Sequence, residues 1–373
     1  MASIEPIIEP TKTEPTKIED PESSERVLAR FVRLDNVIKH PNADRLSIAQ
    51  ISGWDVVIGL DYAKQGDIGV YFEIDSVIPK QAEWAQKQGL KSYTIKTIKL
   101  RDVLSQGLFI KMCELPFDDC KTPEDEERYL KLENATNLLG ITKRKDTADT
   151  EHFSTRKGKR DKVITARLFS DIFPKIPKTD EVRIQSYKFL LDEMKGLPFY
   201  ATIKYDGSSS TVDRYSVCSR NYEASNKTHF TDVVEKYELF KKLADYPNIV
   251  LQYEVYGTGI QGNKLKVTEG QRIAVFSVWE TSETYHRRRF GLEEMRAFLL
   301  KIDVPMAEVV VEGDSFEYTM DEIKALSKGF YPETTNHREG LVFRPKEPIR
   351  SERLRQLLSF KIINDDHLLA TKQ

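Results

Sequence analysis

Thr202-Ile203-Lys204-Tyr205-Asp206-Gly207-Ser208-Ser209-Ser210 sets a lysine and an acid two residues apart at the edge of a Gly-Ser turn. Residues 199–203, just before it, are aromatic and β-branched, the composition of a short strand. Period-2 alternation puts Tyr200, Thr202 and Lys204 on one face and Phe199, Ala201 and Ile203 on the other. Lys204 therefore ends a strand on the face away from the core. Such a lysine is a nucleophile once its ammonium loses a proton, which burial or a neighbouring cation promotes. It is equally well the solvated lysine of a hairpin, and the choice between the two rests on what stands elsewhere in the chain.

At 373 residues the chain is longer than one ordinary domain, and two globular units with connectors are expected. Its 57 basic residues nearly balance 59 acidic ones, so nucleic acid would have to be met by local patches rather than by overall charge. Cys113, Cys120 and Cys218 have no metal-ligand spacing, and a sparse, odd set fits a reducing compartment. There is neither a signal-peptide pattern nor an apolar run long enough for a bilayer. A soluble intracellular monomer, cytoplasmic or nuclear and without a membrane partner, is expected.

Residues 1–25 hold two lysines against seven acids and no aromatic residue, which predicts a disordered tail. Residues 26–115 change character. Val27 to Leu34 alternates like a strand, His40 to Leu46 is a turn, and short strands are predicted at 46–52, 55–60, 68–74 and 93–100. Strands this short and close predict a small β-barrel. Trp54, Tyr71, Trp84 and Tyr93 are either base-stacking surfaces or core; Lys91, Lys96, Lys99 and Arg101 are either phosphate contacts or a solvated face. Residues 116–172 read as a linker with a short helix ending near Gly140 and a segment, 143–162, of eight basic and four acidic residues.

Residues 173–373 have the composition of an α+β domain with antiparallel sheets. A helix is predicted from Thr179, then the Lys204 strand and a partner strand at 211–219. A helix at 232–244, strands at 249–256 and 273–279, and helices at 292–301 and 320–328 follow, the last opened by a Thr319/Glu322 capping box. Strands at 340–344 and 358–363 close the series.

Four of these strands carry a polar or aromatic residue in an apolar setting: Glu254 in Leu251-Gln252-Tyr253-Glu254-Val255-Tyr256-Gly257, Phe276 in Ile273 to Trp279, Glu339 before Gly340-Leu341-Val342-Phe343-Arg344, and Lys361 in Ser359-Phe360-Lys361-Ile362-Ile363-Asn364. Each alone is an ordinary solvated side chain or core residue. In this order after Lys204-Tyr205-Asp206-Gly207, they resemble the motifs of the covalent nucleotidyltransferase superfamily of ligases and capping enzymes, whose catalytic domain is ATP-grasp-like. Lys204 to Gly207 resembles motif I, Ser219-Arg220-Asn221 the next, Glu254 motif III, Phe276 motif IIIa, Glu339 motif IV and Lys361 motif V. The turn His40 to Leu46, with Val56-Val57-Ile58-Gly59, resembles tRNA-binding-type OB modules. DNA ligases and capping enzymes carry an OB domain after motif V, where this sequence has only residues 365–373. The OB-like unit placed first, with Lys178 to Gln185 and Gly259-Ile260-Gln261-Gly262-Asn263, resembles RNA ligase family 5.

That resemblance implies an ATP-dependent RNA ligase joining 3′-OH to 5′-phosphate ends through lysyl-AMP and adenylylated RNA, at nicks with RNA on the 3′-OH side. It implies Lys204 as nucleophile and Lys361 on the α-phosphate. Asp206, Glu254 and Glu339 would hold Mg²⁺ or Mn²⁺, and Phe276 and Val342 would clasp the purine. Arg183 and Arg220 would contact phosphates, with Gln185, Glu254 and Ile203 also at the nucleotide. Ile203 departs from the family, many of whose members have an acid there, so its adenine contact is replaced or absent. Two other readings stand beside this one: a non-catalytic RNA-binding protein with a decayed ligase domain, and a capping guanylyltransferase or DNA ligase.

Overall fold

The computed structural model describes residues 27–120, 122–144, 167–178, 180–224, 227–282, 287–332 and 334–370. The expected tail and most of the basic segment at 143–162 lie outside them. The first unit holds β1 (Ala29–Arg33), β2 (Asn36–Lys39), β3 (Leu46–Ile51), β4 (Trp54–Gly59), β5 (Ile68–Phe72), β6 (Ser76–Val77), β7 (Thr97–Leu100), β8 (Val103–Gln106), β9 (Leu108–Lys111) and β10 (Thr142–Lys143). They pair antiparallel as β1-β5-β9, β2-β3-β4, β7-β8 and β10-β6. Among the described residues these ladders are separate short antiparallel sheets, which together form the small all-β unit expected of residues 26–115.

Of the ambiguous aromatics, Trp54, Tyr71 and Trp84 resolve into core, whereas Tyr93 is half-buried at its edge with Lys80 over its ring. Trp54 stacks on Tyr71 at 6.1 Å and Trp84 on Phe72 at 5.8 Å, and all four rings are buried. They have no face left for a base. Lys91, Lys96, Lys99 and Arg101, by contrast, are exposed. The segment read as a linker begins inside this unit: Ala135, Leu139 and Ile141 enter its core, and Phe117 and Tyr129 pack on Phe31. Its helix, Pro123–Leu132, is opened by Thr122 and Asp125 in a capping box and stops short of Gly140.

The second unit is two five-stranded sheets. One has the order β11 (Val182–Arg183), β20 (Phe360–Ile363), β19 (Gly340–Pro345), β12 (Phe199–Lys204) and β18 (Val309–Gly313). The other runs β14 (Val217–Ser219), β13 (Ser208–Val212), β15 (Ile249–Gly257), β16 (Gln271–Glu280) and β17 (Arg288–Arg289). All pairs are antiparallel except β11 with β20. Separate apolar cores sit behind each sheet, one around Phe316, Phe343 and Phe360, the other around Tyr253, Val275 and Leu299.

Three predicted elements change. The expected helix from Thr179, a residue outside the described set, is replaced by β11, a 3-10 turn and the short helix Phe189–Met194. The helix at 232–244 is two, His229–Lys236 and Leu239–Leu243, broken at Glu238, whose φ is +51°. The strand at 211–219 is a hairpin of β13 and β14, its turn held by Asp213 Oδ1 accepting from the N–H groups of Tyr215 and Ser216. The Thr319/Glu322 capping box forms as read.

Candidate active site

β12 ends at Lys204 in one sheet and β13 begins at Ser208 in the other, so Tyr205-Asp206-Gly207 is the crossing between them. The crossing is tight. A Cβ on Gly207 would lie 2.2 Å from the carbonyl oxygen of Val255, so only glycine fits. Between the sheets lies a cavity of about 480 Å³. Lys204, Asp206, Glu254, Glu339 and Lys361 line it, together with Ile203, Arg220, Phe276 and Val342.

Strand register explains the convergence. Lys204 pairs with Gly340, which brings Glu339, one residue earlier, to the lysine: Lys204 Nζ donates to Glu339 Oε2 at 2.6 Å. Thr202, Val342 and Lys361 form one cross-strand row, ending at Arg183. Glu254 comes from the opposite sheet, where it pairs with Ser209 just past the crossing. Residues 135 positions apart in sequence thus meet within hydrogen-bonding distance.

Charge in the cavity is concentrated. Burial pulls the Lys204 ammonium down, but Glu339, Glu254 and Asp206 outweigh it and hold the pKa above the ordinary lysine value. Without a bound cation the lysine is therefore protonated. Burial pushes the Glu254 carboxyl up to about 8; Lys204 opposes the shift, and Glu339 and Asp206 add to it. Burial brings Lys361 down to about 8; Asp180 opposes that, and Lys204 and Arg183 reinforce it.

Among the described residues no three His, Cys, Asp or Glu side chains form a ready-made metal cage. The donor chemistry nonetheless fits a divalent cation held partly through its own waters. Asp206, Glu254 and Glu339 bring hard carboxylate oxygens to one cavity, and their mutual repulsion, visible at Glu254, is what a cation relieves.

Arg183 and Gln185 do not line the cavity. Arg183 lies with its guanidinium 5.7 Å from the Trp54 ring of the first unit, and Gln185 is buried with its carbonyl accepting from Gly53 N–H at 3.2 Å. Both sit where the two units meet. Several residues that sequence reasoning passed over are in the site. Asp180 bridges Lys361 at 3.2 Å and Arg220 at 3.1 Å. Buried Arg344 pairs with Glu181 at 2.6 Å and donates to the carbonyl of Phe276, tying the sheets together behind that ring. The hydroxyl of Tyr331 accepts from the backbone N–H groups of both Asp206 (3.2 Å) and Glu339 (3.1 Å). Lys264 and His367 contact the Asp206 carboxylate. Asp180 and Glu181 lie within the quoted stretch Lys178 to Gln185 and Arg344 within the quoted strand after Glu339; Lys264, Tyr331 and His367 leave no periodic signal.

Two sheets with a lysine at their crossing, acids around it and a second buried lysine beside it define a nucleotidyltransferase domain, here carried behind an OB-type unit. Residues 197–363 match the family model described as RNA ligase, and residues 28–112 match one described as an OB-fold domain. Among solved structures, a Naegleria gruberi RNA ligase mutant with ATP and Mn is 26% identical, with a TM-score of 0.74 over 92% of this chain and 99% of that one. A mutant of the same ligase with AMP and Mn is 27% identical, with a TM-score of 0.74 over 93% of this chain and 99% of that one. The ligase with PPi is 26% identical, with a TM-score of 0.73 over the same shares. No curated protein matches the sequence. Among the described residues no helix is long and apolar enough to cross a membrane.

Proposed function

We propose that this chain is an ATP-dependent RNA ligase of the family-5 type, sealing 3′-OH to 5′-phosphate ends at nicks with RNA on the 3′-OH side. The observation that carries the reading is Lys204 Nζ held 2.6 Å from Glu339 in a cavity shared with Glu254 and Lys361. The Naegleria ligase's ATP, AMP and PPi complexes support it, since these are the reactant and the products of lysine nucleotidylation and its discharge.

In the first step the Lys204 ammonium releases a proton to solvent, a loss that Glu339 would cease to oppose once it held the cation. The freed lone pair forms an N–P bond to the α-phosphorus of ATP while the bond to the α,β-bridging oxygen breaks, and pyrophosphate leaves with that electron pair. Asp206, Glu254 and Glu339 would hold Mg²⁺ or Mn²⁺, which would neutralise phosphoryl charge and loosen the carboxylates' grip on the lysine proton. Lys361 meets the α-phosphate, Arg220 is a further phosphate contact, and Phe276 and Val342 enclose the base. Ile203 offers no side-chain hydrogen bond to adenine, so base selection falls on the surrounding backbone. Arg183 acts from beside Lys361, and Gln185 through the junction of the two units. The 5′-phosphate then takes AMP from Lys204, and the 3′-OH displaces it.

Incubation with α-labelled ATP and Mn²⁺ or Mg²⁺ should label the protein, and Lys204→Ala should abolish the label. No adduct with any nucleoside triphosphate would refute the enzyme reading, and an adduct with GTP alone would move the chain to capping chemistry. Paired nicks with RNA or DNA at the 3′-OH end then test the acceptor: equal sealing would remove the RNA preference.

A further inference from the structure

The short helix Asp365–Ala370 follows β20 directly and is anchored by Asn364, which is fully buried. Asn364 Nδ2 donates to the Arg338 carbonyl at 3.0 Å, and its Oδ1 accepts from Asp366 N–H at 3.0 Å. This anchoring carries His367, itself buried, up against the crossing that holds Lys204. His367 Nδ1 lies 3.0 Å from the carbonyl oxygen of His337, and Nε2 lies 3.1 Å from Oδ2 of Asp206. Each ring nitrogen thus faces an oxygen that can only accept, one a carbonyl and the other a carboxylate. Turning the ring over would put carbon atoms at both positions and break both contacts.

The second side-chain contact on Asp206 falls on the same oxygen: Lys264 Nζ lies 2.5 Å from Oδ2. The Asp206 backbone N–H is held in turn by the Tyr331 hydroxyl. One carboxylate oxygen is thus gripped from two sides while the main chain is pinned, which fixes the plane of the group. That plane matters if Asp206 is to meet a cation.

We propose that His367 is a positioning residue: with Lys264 it pins Oδ2 of Asp206, so that Oδ1 is presented in a fixed direction to the divalent cation accompanying the nucleotide. The proposal rests on the ligase reading above. It assigns the segment after the last ligase motif a part in building the cation site. Hydrogen-bonding partners of this kind set the orientation of metal-ligating groups, and their loss commonly weakens metal binding or activity by about 10- to 100-fold.

The two amide replacements of histidine separate this role from mere packing. A glutamine amide nitrogen extends to the position of Nε2 and can still donate to Asp206; an asparagine amide reaches only the position of Nδ1 and keeps the bond to His337. The full-length chain, in a Lys204→Met background that forms no adduct, is titrated with ATP in Mn²⁺ and again in EDTA. His367→Asn should lose about tenfold or more of the Mn²⁺-dependent gain in ATP affinity with the EDTA value unchanged, and His367→Gln should stay within about threefold of the parent. With Lys204 intact, His367→Asn should also raise the Mn²⁺ concentration for half-maximal adduct formation by a similar factor. Equal behaviour of the Asn and Gln variants, or an equal loss in EDTA, would overturn the proposal. If His367→Asn does not fold, Lys264→Met decides: an unchanged Mn²⁺ response there overturns the clamp. A parent chain that forms no adduct refutes the ligase reading instead, so the two failures are distinct.

Discussion

Lys361 shows how much of this site's behaviour resides in single side chains. Burial holds it at about 8, so in the nucleotide-free protein it is charged below that pH and neutral above it. An ammonium that must meet a phosphate therefore loses its hold as pH rises through about 8. The KM for ATP in adduct formation should rise above that pH, and Lys361→Arg, whose guanidinium stays charged, should keep it flat to about pH 9. A parent KM independent of pH between 7 and 9 would contradict this. Asp180 supports the charged form of Lys361, so Asp180→Asn should move the rise to lower pH. Lys204 has the opposite bias. Its carboxylate neighbours keep it protonated, and the same acids that prepare a cation site hold the nucleophile inactive until something offsets them.

At the scale of elements, the crossing from β12 to β13 is the decisive piece. Gly207 lets the backbone pass the carbonyl of Val255, and its N–H donates to Glu254. Gly207→Ala should therefore cost about 1–3 kcal/mol of stability through overpacking and displace Glu254 as well. Adduct formation should fall by at least about tenfold, as expected when catalytic geometry shifts. A variant with a lowered melting temperature but an unchanged rate would show that the crossing tolerates movement. Gly340, at φ +158°, plays a matching part in β19: a Cβ there would lie 2.0 Å from the Ile362 carbonyl oxygen. These two glycines let the lysine strand, the Glu339 strand and the second sheet converge.

At the scale of the whole molecule, the OB unit meets the ligase domain on the 182–187 segment, next to Lys361. Trp54 Nε1 donates to Ser186 Oγ at 3.2 Å, and Ser186 donates to Glu73. Arg30 stacks over Tyr187 at 4.5 Å, and Arg183 lies near the Trp54 ring. A cation–π contact of this kind contributes about 0.5–2 kcal/mol. If Trp54 acts by holding Arg183 beside Lys361, Trp54→Ala should raise the KM for ATP by up to about tenfold, and Trp54→Ala/Arg183→Ala should be no worse than Arg183→Ala. Strictly additive losses would mean that the two residues act separately.

The sequence by itself determined the strand that ends in Lys204, the later strands bearing Glu254, Phe276, Glu339 and Lys361, and the two-unit order, because alternation, turn residues and motif order are local properties. It also made the capping box at Thr319 and Glu322 legible, since both partners lie within one turn. It left Trp54, Tyr71 and Trp84 undecided between core and surface, and it placed Gln185 at the nucleotide when the fold buries it between the units. Only tertiary structure decided such questions. Burial, pairing register and the meeting of residues more than a hundred positions apart depend on how the sheets pack, not on the residues beside them. Asp180, Tyr331 and His367 join the site for that reason alone: each is unremarkable in its own stretch, and each reaches Lys204 or its partners only once two sheets and a short helix have closed around one cavity.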